Sequence, residues 1–183
     1  MMVLGYILIV LMFPFKGMLG TRHKRLIGSY IKDPNSISEQ DAHSILKDLA
    51  WKEYTEGGLK KASTYSNELL RLNNLVEKNW NYGNAIHHAH TIIGLVHLES
   101  NDIAEAKRRL VLSSKTPGSP QLDSFGPTFL LAQKLLDIGE YGTVKKYLMN
   151  CRKFWKRDNG RISLWLEKIG NGEKPQFQEK FET

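Results

Sequence analysis

Residues 90–120 read HTIIGLVHLESNDIAEAKRRLVLSSKTPGSP, and the organisation of the whole chain follows from this stretch. Apolar residues recur three and four apart on both sides of Ser100, Asn101 and Asp102, which is helical spacing interrupted by turn-forming residues. The pattern predicts two helices joined by a tight turn. Gly94 in the first and Ala106 in the second are small, so the helices can approach closely at that level. Leu110 and Ser113 continue the second helix's inner face, and Pro117, which has no N–H to give, ends it.

Two further stretches repeat these offsets. Residues 129–154, FLLAQKLLDIGEYGTVKKYLMNCRKF, place Ala132, Gly139, Glu140, Tyr141, Val144, Leu148 and Cys151 at matching positions. Residues 45–70, ILKDLAWKEYTEGGLKKASTYSNELL, do the same with Ala50, Gly57, Gly58, Leu59, Ala62, Ser66 and Leu69, without a closing proline. The order small residue, turn, apolar or aromatic residue, alanine and proline resembles the tetratricopeptide repeat (TPR). The resemblance covers residues 42–154. It implies an all-α fold, a right-handed superhelical stack of about three TPR-like helical hairpins. One such hairpin cannot bury its own apolar face, and RISLWLEKIG at residues 161–170 reads as a capping helix, with Leu164, Trp165 and Ile169 covering the last pair. The chain departs from the family in its long connections, LVEKNWNYGN and TPGSPQLDSFGP. It also has Leu46, His90 and Thr128 where a large aromatic is usual early in each first helix.

Upstream, DPNSIS at residues 33–38 is a break, and Ser38 with Asp41 resembles a capping box that starts the first body helix. Residues 1–19, MMVLGYILIVLMFPFKGML, hold no acidic residue and one basic one, Lys16. As a helix at roughly 1.5 Å per residue they extend about 28 Å, close to the hydrocarbon thickness of a bilayer, so they are expected to be a transmembrane anchor. A cleaved secretory signal fits less well, since no basic side chain precedes the apolar run. The other reading is an N-terminal hydrophobic helix packed on the helical body, where the exposed edge of a stack needs a cover. Lys16, Arg22, Lys24 and Arg25 flank the run, and the positive-inside rule keeps that side in the cytoplasm. The expected order is therefore a single-pass membrane anchor at 1–19, a basic juxtamembrane linker at 20–37, a cytoplasm-facing helical domain at 38–170 and a loose polar tail at 171–183.

In stacked hairpins of this kind the first helices line a concave surface. Residues one step round from the small positions then point into the groove: Lys47, Trp51 and Tyr54 on the first hairpin, His88, Thr91 and Leu95 on the second, and Phe129, Gln133 and Leu136 on the third. Aromatic and aliphatic groups on such a surface suit an apolar or amphipathic peptide of a partner protein. The same residues could instead pack against terminal helices. Some family members grip a terminal carboxylate with lysine, arginine and asparagine; only Lys47 matches that clamp, with Trp51 and Ile92 where asparagines are wanted, so chaperone-tail binding is not implied.

Net charge is +7, and Lys107-Arg108-Arg109, Lys145-Lys146, Arg152-Lys153 and Lys156-Arg157 fall on second helices or just after them. A basic convex face could meet nucleic acid or anionic lipid, which makes a soluble nucleic-acid-associated regulator the alternative function. Four of the six histidines lie in AIHHAHTIIGLVH; His87 and His90 share a helix face and could hold zinc, but His97 lies two turns on, so packing is the default. No phosphate loop or nucleophile elbow occurs, and the lone Cys151 falls on a buried face, so the expectation is a scaffold without catalytic residues, metal or cofactor.

Overall fold

The computed structural model describes residues 20–75 and 81–177. Among these residues every regular element is a helix and no strand occurs, which bears out the all-α reading. The expected anchor at 1–19, the middle of the LVEKNWNYGN connection and residues 178–183 lie outside the described residues. Among the described residues, no helix is long and apolar enough to cross a membrane.

Two compact units are distinguished, residues 1–45 and 46–183. The first contains α1 (Thr21–Lys32), a 3₁₀ turn (Pro34–Ser36) and the beginning of α2 (Glu39–Thr55). The expected linker at 20–37 is thereby corrected. Leu26, Ile27, Tyr30 and Ile31 recur at helical spacing among the basic residues, and Tyr30 is buried. The helix stops at Asp33, whose extended backbone suits a residue before proline. The start of α2 is as expected: the Asp41 N–H donates to Ser38 Oγ at 3.1 Å and the Ser38 hydroxyl donates back to the Asp41 carboxylate at 3.1 Å. Such a cap contributes about 1 kcal/mol.

The second unit holds the end of α2 and then α3 (Leu59–Asn73), α4 (Tyr82–Glu99), α5 (Ile103–Ser113), α6 (Pro120–Phe125), α7 (Leu130–Asp137), α8 (Tyr141–Cys151) and α9 (Arg161–Gly170). The pairs α2/α3, α4/α5 and α7/α8 are joined by one and the same turn. Each contains a left-handed residue, Gly57 at φ 83°, Asn101 at φ 59° and Gly139 at φ 90°. The following N–H then reaches back five residues, Gly58 to Glu53 O at 2.8 Å, Asp102 to His97 O at 2.9 Å and Glu140 to Leu135 O at 3.0 Å. This is the Schellman ending, which satisfies carbonyls that a helix terminus would otherwise leave open.

The small residues sit where the helices meet. Ala50 and Ala62 share a buried cluster with Ile92. A Cβ on Gly94 would overlap Leu131 Cδ2 and come within 3.1 Å of Arg109 Cβ and 3.5 Å of Ala106 O. Ala132 and Val144 are fully buried in the main core with Leu110, Leu135 and Tyr147. Successive pairs touch in order: α3 lies on α4, α5 on both α7 and α8, and α8 on α9. Burying each large apolar side chain contributes ~1.5–3 kcal/mol, so most of the stabilisation lies where α5, α7, α8 and α9 converge. In α9 the covering face is Ile162, Trp165 and Ile169; Leu164 was expected among them but is exposed, because it lies off the line that the other three share at helical spacing.

The second long connection and the described start of the tail are both ordered. The TPGSPQLDSFGP connection contains α6, capped by Ser119 Oγ, which accepts the Leu122 N–H at 3.0 Å. Ser119 Oγ also donates to Asn84 Oδ1 at 2.7 Å, and Asn84 Nδ2 donates to Gln121 Oε1 at 2.9 Å, tying the connection to the start of α4. At the same place a Cβ on Gly83 would overlap the Gly118 carbonyl, and one on Gly118 would lie 2.7 Å from Phe154 Cβ. Of the tail expected to be loose, residues 171–177 pack back on the helices. Gly172, at φ 79°, turns the chain back after α9, and Pro175 and Phe177 are buried.

Candidate functional site

The last two turns of α2, α4 and α7 come together around one carboxylate. Tyr54 Oη donates to Glu99 Oε1 at 3.1 Å, and Lys134 Nζ donates to the same oxygen at 3.2 Å. Trp51 stands beside Tyr54 with ring centroids 5.8 Å apart. All four side chains are at least partly open to solvent, so the ion pair contributes at most ~1 kcal/mol; its consequence is to set the row Trp51, Tyr54, Glu99, Lys134 in one arrangement.

The nine positions expected to form a groove divide in two. Lys47, Trp51, Tyr54, His88 and Gln133 are partly exposed. Thr91, Leu95, Phe129 and Leu136 are buried, which corrects their assignment to a contact surface. Thr91 Oγ1 donates to His87 O at 2.8 Å, a bond within its own helix. Leu95 and Leu136 are wholly enclosed in the main core. A first helix between two hairpins has neighbours on more than one side, so a single step round from the small residue reaches packing positions as often as open ones. Lys47 is 3.4 Å from Asp48. Burial holds the His88 imidazole well below its ordinary pKa, and the nearby His87 and Lys47 lower it further.

Phe129 forms the centre of an aromatic nest. Its ring centroid lies 6.0 Å from Tyr147, 5.6 Å from Trp155, 5.0 Å from Trp165 and 5.4 Å from Phe177. Phe177 comes from the returning tail and also meets Trp165 at 5.0 Å. Its N–H donates to Gln133 Oε1 at 3.0 Å, while Gln133 Nε2 donates to Asp137 Oδ1 at 3.0 Å and Lys174 Nζ donates to Asp137 O at 2.9 Å. Burying the phenylalanine contributes ~2–3 kcal/mol and the two bonds from the tail about 1 kcal/mol each. Ordering the residues that return from α9 costs ~1–2 kcal/mol apiece, which offsets much of that gain.

The histidine cluster is structural. His87 Nδ1 lies 3.2 Å from Ser113 O and its Nε2 accepts the Thr128 N–H at 3.0 Å, so the ring is the Nδ1–H tautomer and joins α4 to the end of α5 and to the segment before α7. Both nitrogens are thus engaged in a neutral ring. Burial pushes its pKa down to about 4 against the smaller opposing pull of the Ser113 carbonyl. His90 is pushed to about 4 by burial first and then by Arg109, whose guanidinium lies 3.2 Å from His90 Nδ1. Cys151 is fully buried, as expected, and burial raises its thiol pKa, leaving it un-ionised.

A groove of about 460 Å³ between α5 and α8 is lined by Lys107, Arg108, Lys115 and Lys146 together with Val111, Leu112, Gly142 and Thr143. The basic stripe is partly neutralised there: Lys107 pairs with Glu140 at 2.6 Å, and Arg108 and Arg109 share Glu105 at 2.6 and 2.7 Å. Those guanidiniums hold the Glu105 carboxyl down at about 2.

Compared with protein families, curated proteins and solved structures, the chain has no match in any of the three. Sequence reasoning missed Glu99, Lys134 and Phe177. Lys134 follows the expected groove residue Gln133 and Glu99 lies one helical turn beyond Leu95, and both carried a signal in their opposite charge. Phe177, one of two phenylalanines in a polar stretch, carried a signal only in that contrast.

Proposed function

We propose that the chain is a TPR-type scaffold, tethered through residues 1–19 with its helical domain in the cytoplasm, that binds an extended or helical segment of a partner protein. Binding rather than catalysis is its role. The observation that carries this reading is the threefold recurrence of one Schellman turn flanked by small or compact buried residues, which supports a series of three first helices. Their partly open side chains, Lys47, Trp51, Tyr54, His88 and Gln133 with Glu99 and Lys134, combine aromatic anchors with both charges, a mixture suited to a peptide. The test is selection of displayed peptides on the full chain, followed by affinity measurement with Trp51→Ala and Tyr54→Ala variants. Each is expected to weaken binding about tenfold. Selected peptides that bind both variants as tightly as wild type would place the site elsewhere.

The basic groove between α5 and α8 supports a second reading, a nucleic-acid-associated regulator. Under it, binding of a short duplex would fall steeply with salt and be lost on neutralising Lys107, Lys115 and Lys146. A shallow salt dependence, or indifference to those substitutions, removes it.

A further inference from the structure

The geometry points to the aromatic nest at α7 and α9 as a peptide-docking site for a partner segment bearing a phenylalanine two residues after a proline, with the chain's own residues 174–177 occupying it in the meantime. This deepens the scaffold reading and rests on it. Phe177 is held in a way that any chain carrying such a residue could reproduce. Its ring lies tilted against Phe129 at 5.4 Å and edge-on to Trp165 at 5.0 Å, and its only described hydrogen bond is from its backbone N–H to Gln133 Oε1. Backbone recognition with one side-chain pocket is how extended peptides are generally read.

The occupant can leave without breaking an element. Beyond Gly170 the described chain has no helix, and the turn at Gly172 delivers an irregular segment onto α7. Pro175 keeps that segment extended and lowers the conformational freedom an incoming copy of the motif would lose. The nest is also not fully satisfied by Phe177. The indole N–H groups of Trp155 and Trp165, both almost wholly buried, have no acceptor among the described residues. A partner segment bringing a carbonyl or carboxylate oxygen to either would be preferred over the tail, because a buried donor left open is costly.

The test uses the full chain and a fluorescent peptide of sequence NGEKPQF, copied from residues 171–177. Phe177→Ala is expected to bind it about tenfold more tightly than wild type, and peptide with its phenylalanine changed to alanine is expected not to bind. Gln133→Ala added to Phe177→Ala is expected to weaken binding about fivefold. A Phe177→Ala protein that keeps its helical circular dichroism yet ignores the peptide overturns the proposal, since Phe177 is then ordinary core. If that variant does not fold, hydrogen exchange on wild type decides. The Phe177 amide is expected to exchange about 100-fold faster than that of Leu148, and equal protection overturns the proposal. A wild-type dimer that Phe177→Ala converts to monomer would give the nest to a second copy's tail and also overturn it. Selection of displayed peptides on wild-type protein reports on the scaffold reading, whereas the gain of NGEKPQF binding by Phe177→Ala reports on this one, so the two fail separately.

Discussion

His87 is the residue whose surroundings make the sharpest demand. As a neutral ring it satisfies the Ser113 carbonyl and the Thr128 N–H together, and its folded pKa of about 4 lies below the ordinary 6.5. As pH falls the unfolded chain takes up the proton first, so stability is full above about pH 6.5, declines towards pH 4 and levels off below. The decline attributable to this ring is on the order of 3 kcal/mol. Urea midpoints between pH 7.5 and 4.5 should show it, and His87→Gln, which cannot titrate, should make the profile shallower, with His88 and His90 keeping part of the slope, while lowering stability at neutral pH by ~2 kcal/mol. A profile unchanged in His87→Gln would refute the assignment. The sequence offered His87 and His90 only as two imidazoles on one helix face. That the partners of His87 are backbone groups of two other segments is a matter of tertiary placement that no local pattern records.

At the scale of elements the hairpins were legible and the positions between them were not. Gly57, Asn101 and Gly139 stand out in sequence because each falls between periodic apolar stretches and two of them are glycine, the residue to which the left-handed region is open without strain. Gly139→Ala should therefore lower stability by ~1 kcal/mol, read from thermal midpoints, whereas Asn101→Gly should be neutral or slightly stabilising. Gly94→Ala separates packing from propensity. An isolated helix would gain about 1 kcal/mol, but here the new methyl meets Leu131, which is fully enclosed, and a net loss of ~1–2 kcal/mol is expected in chemical denaturation. Helix α1 was hidden because its basic residues read as a membrane flank, although Leu26, Ile27 and Tyr30 already carried the helical period. Leu95, Phe129 and Leu136 were misplaced for the opposite reason: helical period locates a buried stripe but not its width, and a helix with neighbours on two sides has a broad one.

For the molecule as a whole, the proposed tether governs which partners can be reached. Fractionation of tagged protein should leave it in the membrane pellet through carbonate extraction, with the tagged C-terminus open to protease from the cytoplasmic side. Release into the supernatant would favour the soluble regulator, whose duplex binding should then show the steep salt dependence described for the α5–α8 groove. Within the second unit, one feature constrains the chain through residues that have no side chain of their own. Gly83 at the start of α4, Gly118 in the long connection and Phe154 after α8 are stacked so closely that a methyl on either glycine has nowhere to go. In a saturation mutagenesis survey these two glycines should tolerate almost nothing, while the exposed Phe125 a few residues away accepts most substitutions. Divergence among descendants of this chain is therefore expected to leave the glycine pair in place long after the helix surfaces have become unrecognisable.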